Sequence, residues 1–546
     1  MKKAYSITIG TLLASSLLIS LNADQAFSIA QEQIYRFVPV ESKFNIMINL
    51  KDPYSKKILS NVQLKDEFEE LFDTGSDNSS VIKILEESGE SLLISANDME
   101  SKDGFIVLKT NSDKLALDMN SRIKNQVKLD KDAKVVETKY RDVKIVSIIP
   151  KNTNNYNFKP YYYAFVNRNI VMTSNVENIQ DSIKAYYGKN ILSYSGFKNV
   201  NKYISSNSQI KVLLDSKEDK SLFKTDNAMI GIKFNSKSVD FEYSAIPIIS
   251  DKFSVGMVNK KTKNLSSILN SLPTDSLGFI STSNYNFYES LNSKDKKSQD
   301  KLNQFFLEAL NITPNEFFGN LNSQFSLAVF NNKDINKFPG IAMFMEPKSK
   351  DDMLDTLSSI SIDANLFSNN KGQRKNLSTS TKNKFSFSQL RKEKGLGIVS
   401  STEIEELKKV DVRPEYMFID NKLILTSSPS TTNLLVDRIV GKTTTLESND
   451  NVKKLLTLFK SNNTDMGYVN LDLLSNMISK SLEGNKNQKS FIKLAKKFHA
   501  LGFNTKTDGK NIYGKASLLI DWQDIDANLI QELTTGKKQS IQIKDL

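Results

Sequence analysis

The sequence contains several Ser-x-x-Lys motifs, which are its closest match to a nucleophilic catalytic centre. Among them are those that begin at Ser80, Ser195, Ser298 and Ser490. In penicillin-recognising enzymes such a serine is the nucleophile and acts together with a downstream Ser-Asp-Asn and a Lys-Thr-Gly. Here Ser76-Asp77-Asn78 precedes the first of these motifs, and the sequence contains no Lys-Thr-Gly. We interpret the motifs as coincidences in a chain rich in serine and lysine.

A second apparent motif, Gly441-Lys442-Thr443, matches the end of a phosphate-binding loop. A complete loop needs another glycine at the position where this sequence has Val436. The motif also follows a helical pattern, whereas a phosphate-binding loop opens a helix. Gly441 is therefore interpreted as a helix cap.

The residue types that are absent exclude more chemistry than these motifs support. The 546-residue chain has no cysteine and one histidine, His499. Disulfides, thiolate zinc sites, cysteine nucleophiles and mechanisms with two histidines are excluded. No catalytic, cofactor-binding or metal-binding residue is assigned, although scattered carboxylates could converge on a metal ion. His499 is expected at the end of a helix over 491–498, in a structural role.

The N-terminus has the three parts of a secretory signal peptide. Lys2 and Lys3 give a positive start, residues 4–21 are uncharged, and Ala23 is a small residue before Asp24. An uncleaved anchor is the alternative, because the uncharged run approaches the roughly 18 residues that span a bilayer. We expect cleavage after residues 1–23, which leaves a soluble periplasmic or extracellular protein.

The charge balance favours anionic partners over nucleic acid. The chain has 74 Lys and Arg against 62 Asp and Glu, a net charge of +12. A basic surface attracts lipid headgroups and acidic polymers, and it also keeps a protein soluble. An exported chain without an aromatic-interleaved basic motif is a poor candidate for nucleic-acid binding.

Two segments of the chain are similar in a way that indicates internal duplication. Residues 163–189 and 416–442 align without a gap, 253 positions apart, with identical Tyr-x-Phe starts and Gly-Lys ends. Each pattern predicts a strand, a polar turn at Asn167-Arg168 or Asp420-Asn421, and a second strand. A helix follows in each copy. Its expected caps are Ser174 and Gly188 in the first copy, and Ser427 and Gly441 in the second.

Other strand–strand–helix sets recur in the same order, so the sequence predicts an α+β fold. It consists of two tandem homologous units, each of mainly antiparallel sheet with covering helices. The expected bounds are unit 1 at 33–250, a linker at 251–264, unit 2 at 265–521 with a basic loop at 365–384, and a flexible tail at 535–546.

The signal peptide, the Pro39-Val40-Glu41-Ser42 opening before a short strand and the strand–strand–helix sets resemble an exported bacterial family. It is the family catalogued as domain of unknown function 3352. The resemblance spans most of the mature chain and implies an exported α+β protein without assigned catalytic residues. Family members tend to open with Pro-Ala-Asp-Thr, from which Val40-Glu41-Ser42 departs.

The basic loop carries the specific contact hypothesis of the sequence. No acidic residue lies between Asp363 and Glu393. The candidate contacts to an anionic surface are Lys371, Arg374, Lys375, Lys382 and Lys384. The expected function is a non-enzymatic exported envelope protein that binds a partner protein, an apolar ligand or the membrane surface. The alternative is an extracytoplasmic hydrolase that uses carboxylates or a Ser/Lys pair.

Overall fold

The computed structural model describes most of the chain between residues 32 and 520. The described ranges are 32–52, 89–96, 104–114, 133–151, 160–215, 225–248, 262–283, 311–331, 339–363, 384–408, 411–481 and 496–520, with helical residues at 117, 120, 121, 124, 125, 300, 303, 304 and 307. The chain divides into two compact units on either side of the Ile248–Ile249 bond. The expected signal at 1–23 and tail at 535–546 lie outside the described residues.

Among the described residues, the first unit is a ten-stranded antiparallel sheet with helices. Its strands are β1 (Phe44–Asn49), β2 (Gly89–Ala96), β3 (Gly104–Thr110), β4 (Ala133–Tyr140), β5 (Val143–Pro150), β6 (Tyr161–Val166), β7 (Asn169–Thr173), β8 (Ile210–Leu214), β9 (Thr225–Asn235) and β10 (Ser238–Pro247). Helices α1 (Val176–Tyr187) and α2 (Ser195–Asn201) accompany 3-10 turns at Glu32–Phe37 and Ile191–Ser193. The strand order is β10-β9-β8-β1-β2-β3-β7-β6-β5-β4.

The central strands of this sheet are buried on both faces. Met47, Leu93 and Val107 lie side by side across β1, β2 and β3, in one core with Ile179 and Ile183 of α1. On the opposite face, side chains such as Ile48 and Leu108 are equally buried. A strand covered on both sides reads as a nearly continuous apolar run, as in the segment Phe44–Asn49.

The second unit is also an antiparallel sheet, with helices on both faces. Its strands are β11 (Lys263–Asn264), β12 (Ser276–Thr282), β13 (Leu321–Phe330), β14 (Gly340–Pro347), β15 (Ser361–Asp363), β16 (Lys384–Glu393), β17 (Leu396–Ser401), β18 (Glu415–Ile419), β19 (Lys422–Thr426), β20 (Asn462–Asn463), β21 (Asp465–Asn470), β22 (Phe498–Thr507) and β23 (Ile512–Ile520). Its helices are α3 (Ser267–Ser271), α4 (Pro314–Phe318), α5 (Lys350–Ser359), α6 (Glu405–Lys408), α7 (Pro429–Ile439), α8 (Asp450–Phe459) and α9 (Leu471–Ser481), with a 3-10 turn at Leu446–Ser448.

The strand order of the second sheet is β23-β22-β21-β12-β13-β14-β19-β18-β17-β16-β15. The pair β11–β20 stands apart from it. One face packs against α7 and α8 through residues such as Phe344, Leu435 and Leu455. The other face packs against α5 through Met345, Met353 and neighbours. The α+β class with mainly antiparallel sheet is therefore confirmed.

The turns predicted inside the two similar segments are present, but both predicted N-terminal helix caps and the left-handed conformation of one C-terminal cap are wrong. Asn167 and Arg168 both have positive φ, 45° and 63°, as a type I′ hairpin turn requires. The helices α1 and α7 are capped one residue later than expected, by Asn175 and Ser428. In the second unit, the hydroxyl of Ser427 accepts a hydrogen bond from the Ile341 N–H at the end of the strand. Because Ser427 is engaged there, the next residue caps the helix.

The C-terminal caps of the same helices differ from each other. Gly441 has φ +78°, the left-handed cap expected from the sequence. Gly188 is the C-cap of α1, but its φ of −138° lies outside the left-handed region. A glycine is therefore required for its backbone conformation only in the second unit.

His499 lies on β22 rather than at the end of a helix, so that prediction is wrong. The register pairs the next residue, Ala500, with Leu519 of β23 and Asn470 of β21. Sheet pairing on both sides outweighs the helical pattern of the preceding residues, of which 491–495 lie outside the described part. Among the described residues, no helix is long and apolar enough to cross a membrane.

The hairpin turns β4–β5 and β16–β17 provide a reciprocal test of the backbone conformation. Arg141 and Asp142 have φ of 48° and 61°, and Lys394 and Gly395 have φ of 50° and 85°. Because glycine adopts positive φ without strain, Asp142→Gly is expected to raise the free energy of unfolding by about 0.5–1 kcal/mol. Gly395→Asp should lower it by a similar amount, since nothing lies within 4 Å of its Cβ position and only the backbone conformation is affected. Urea unfolding measures both, and a destabilised Asp142→Gly variant contradicts the assignment.

Candidate functional site at the outer sheet edge

The outermost strand of the first sheet, β4, has one open edge. It pairs with β5 along its whole length, from Ala133 opposite Pro150 to Tyr140 opposite Val143. No described strand pairs with its other edge. The side chains from Val136 to Lys139 are exposed, as is that of Lys134. The strand therefore presents unpaired backbone groups to its surroundings, which are a template for another extended chain.

The acidic side chain on β4 is neutralised by its neighbours. The Glu137 carboxylate contacts the ammonium groups of Lys124 at 2.5 Å and Lys144 at 2.8 Å. The hydrogen bonds from Lys124 and then Lys144 lower the pKa of Glu137 to about 2. Glu137 is thus ionised and paired at neutral pH, and it does not offset the remaining lysines of the strand.

Apart from Asp142 in the turn, the other charges of this edge are positive and lack such partners. Within the described part of the chain, Lys134, Lys139 and Arg141 are exposed and form no ion pair. Lys139 also lies directly opposite Lys144 on β5, and like charges in that position do not stabilise a hairpin. Sequence analysis missed this basic edge because Glu137 and Asp142 interrupt the run, and only the fold shows which cations neutralise Glu137.

The corresponding strand of the second unit, β16, begins at one of the sequence-predicted site residues. Lys384 is its first residue and pairs with Asp363 of β15. The other four candidates, Lys371, Arg374, Lys375 and Lys382, lie outside the described residues. Asp363 and Lys384, which flank residues 364–383 in the sequence, therefore lie on the neighbouring strands β15 and β16.

Arg391 of β16 is bound within the protein instead of facing an outside partner. Its Nε and Nη2 donate to the two carboxylate oxygens of Glu415 at 3.1 and 2.7 Å. Glu415 is fully buried and also accepts a hydrogen bond from Ser400. Burial acts to raise the pKa of Glu415, but the hydrogen bonds from Arg391 and the neighbouring hydroxyls outweigh it, so the pKa lies below its usual range. This bidentate ion pair joins β16 to β18.

The other described cations of β16 and of the turn after it also differ in whether they form an ion pair. Lys394 forms an ion pair with Asp437 of α7. Lys392 is exposed and forms no ion pair with any described residue. In the second unit, some of the basic side chains therefore form ion pairs within the protein. In the first unit, Lys134, Lys139 and Arg141 stay exposed at the surface.

His499 contributes a second polar cluster at the start of α9. Its Nδ1 lies 2.9 Å from Oδ1 of Asp472, and Asn451 donates to Oδ2 of the same carboxylate at 3.2 Å. Asp472 lies in the first turn of α9, where a negative charge is favourable. The cluster joins β22 and α8 to the start of α9, in agreement with the structural role expected for His499.

Other sites expected of an enzyme are not found among the described residues. No group of three or more His, Asp or Glu side chains there could hold a metal ion. A pocket between α3 and the second sheet, lined by Ser271, Ser326 and Phe344 among others, has about 20 Å³ of room. That space accommodates one or two water molecules and is far too small for a typical ligand.

The comparisons with known proteins identify the family and nothing beyond it. The model of the family described as protein of unknown function (DUF3352) matches residues 91–522. That range covers most of the chain, so the chain belongs to this family. No curated protein and no solved structure matches it.

The buried pair at Glu415 gives a pH-dependent stability prediction. Glu415→Gln leaves Arg391 without its carboxylate, so we expect a loss of about 3 kcal/mol of unfolding free energy at pH 7. The folded-state pKa of Glu415 is lowered, so its stabilisation is present above the unfolded value of about 4.3 and is lost as the pH falls through the folded value. The difference between wild type and variant should therefore shrink below about pH 4.

Glu403→Gln is the matched control in urea unfolding at several pH values. Glu403 is half exposed and pairs with Lys408 and Arg413 at the surface. Its loss should cost far less than that of Glu415, because exposed ion pairs contribute little to stability. Equal losses in the two variants, or a difference for Glu415→Gln that does not change with pH, would contradict the role assigned to the buried pair.

Proposed function

We propose that this member of the DUF3352 family is an exported, non-enzymatic protein of the cell envelope that binds a partner protein. The observation that carries the proposal is the open basic edge of β4. There, Lys134, Lys139 and Arg141 are exposed without ion pairs among the described residues, while Glu137 is neutralised from both sides. Exposed cations on an unpaired strand attract an anionic surface and offer it backbone hydrogen bonds.

Export and the basic segment complete this proposal. Residues 1–23 have the order of parts of a secretory signal peptide, which brings the mature protein to the envelope. In the sequence, the basic segment lies between Asp363 of β15 and Lys384 of β16. Its candidate contacts are Lys384 and the residues Lys371, Arg374, Lys375 and Lys382. We propose that this segment supplies further contacts to an anionic partner, lipid surface or polymer.

We further propose that the scaffold arose by tandem duplication. Support comes from the strand order, which from β10 to β4 in the first unit repeats from β23 to β16 in the second. The row Met47–Leu93–Val107–Val171 crosses β1, β2, β3 and β7 in register. The row Ser281–Ser326–Phe344–Ile424 crosses β12, β13, β14 and β19 in the same way.

The hydrolase alternative is less well supported by the charged groups. A general acid at neutral pH needs a carboxyl pKa raised towards 7. Burial acts in that direction at Glu415 and Glu90, but the neighbouring cations outweigh it and lower the pKa of each carboxyl. Groups with this electrostatic setting serve binding and stability better than proton transfer.

Purification of the mature protein from its native envelope tests the proposed function. The edge variant Lys134→Glu with Lys139→Glu reverses two exposed charges of β4. The control Lys184→Glu with Lys237→Glu makes the same change in net charge at exposed positions of α1 and the β9–β10 turn. A partner should co-purify with wild type and control. Its recovery should fall about tenfold with the edge variant, and salt above about 0.15 M should release it.

A partner recovered equally with both double variants would contradict the proposed role of the edge. Turnover of a substrate by the purified protein would favour the hydrolase instead.

A further inference from the structure

We infer that the partner of the basic edge is an acidic, extended polypeptide segment that adds to the first sheet as a strand beside β4. This inference rests on the proposed function and specifies its partner class. Strand addition uses main-chain hydrogen bonds for affinity and side chains for specificity. Three features of the described residues support it: the backbone groups of β4, its charges, and the strand that already borders β16.

The hairpin turn determines which backbone groups of β4 are available. In a two-residue hairpin the residues flanking the turn form a hydrogen-bonded pair, here Tyr140 and Val143. Hydrogen-bonded and non-hydrogen-bonded pairs then alternate along the ladder. The N–H and C=O groups of Lys139, Glu137 and Val135 consequently point away from β5. They are spaced to receive an added strand.

The charges of the edge define the chemistry of the incoming segment. Successive side chains of a strand point to opposite faces, so Lys134 and Lys139 lie on different faces of the sheet. Arg141 extends the positive charge to the turn. A segment with acidic residues on both of its faces therefore complements β4. A second copy of β4 would place lysines near lysines, which disfavours self-pairing.

The second unit shows that this edge of the fold accepts an added strand. The strand β15 pairs antiparallel with the start of β16, with Ser361 opposite Ser386 and Asp363 opposite Lys384. The start of β16 corresponds in sheet order to the start of β4. An extended segment with an acidic residue opposite a lysine in the register is thus compatible with the geometry of this sheet edge.

Fluorescence anisotropy with labelled peptides tests the inference on the full mature chain. The probes are an eight-residue peptide that repeats Glu-Glu-Val-Val, which places Glu on both faces of a strand, the same peptide with Lys for Glu, and the Glu peptide with every backbone nitrogen methylated. We expect the Glu peptide to bind, the Lys peptide not to bind, and the N-methylated peptide to bind at least about tenfold more weakly because it has no main-chain N–H donors.

Two protein variants separate strand addition from attraction by charge alone. Val135→Pro removes an outward N–H and leaves the hydrogen bonds to β5 in place, and Val135→Thr is its control. Lys134→Glu with Lys139→Glu reverses the charge, against the control Lys184→Glu with Lys237→Glu. Both the proline and the edge-charge variant should bind the Glu peptide about tenfold more weakly than their controls.

The outcomes distinguish this inference from the proposed function. Equal binding of the N-methylated peptide would overturn strand addition even if Val135→Pro failed to fold. If that peptide binds equally while charge reversal still abolishes partner recovery from the envelope, the proposed function stands without strand addition. Failure of the Glu peptide to bind overturns the inference, and the edge then serves to prevent self-association.

Discussion

The outer hairpins of each sheet depend on one pairing between strands distant in sequence, that of β3 with β7 in the first unit and of β14 with β19 in the second. The row Val107–Val171 is part of this contact in the first unit, and Phe344–Ile424 is its counterpart. The pairing joins a hairpin pair, β4–β5 and β6–β7 or β16–β17 and β18–β19, to the central strands. It also places the following helix over the apolar face, so the core and the outer edge both follow from it.

Local features of this architecture can be predicted from the sequence, whereas the joins between distant segments cannot. Alternating strands and the polar turn at Asn167-Arg168 are readable because their residues are adjacent and their conformational preferences are strong. The helix caps lie one residue beyond the predicted serines, since Ser427 bonds to Ile341, which is remote in sequence. The sequence places His499 in a helix because neither neighbouring strand of β22 is apparent in the residues around it.

The same limitation explains what sequence analysis missed at the candidate site. It identifies basic residues by their run along the chain, which leads to 365–384 and to the acid-free stretch before Glu393, where Arg391 lies. Arg391 is bound by Glu415, 24 positions later, while β4 becomes basic only after Lys124 and Lys144 neutralise Glu137. The charge that a surface presents to a partner depends on which side chains form ion pairs in the fold. Ion pairs across strands join residues at no regular sequence spacing, so the sequence does not reveal them.

Engineered disulfides test the central pairing in both units most directly, because the chain has no cysteine of its own. Opposed residues of an antiparallel pair have Cα atoms about 4.5–5.5 Å apart, within reach of a disulfide. Val107→Cys with Val171→Cys, and Phe344→Cys with Ile424→Cys, should each form an intramolecular bond on mild oxidation. The controls Val107→Cys with Met172→Cys and Phe344→Cys with Leu425→Cys place the thiols on opposite faces and should stay reduced. Bond formation in a control pair instead of its matched pair, or in one unit alone, would contradict two sheets built on the same register.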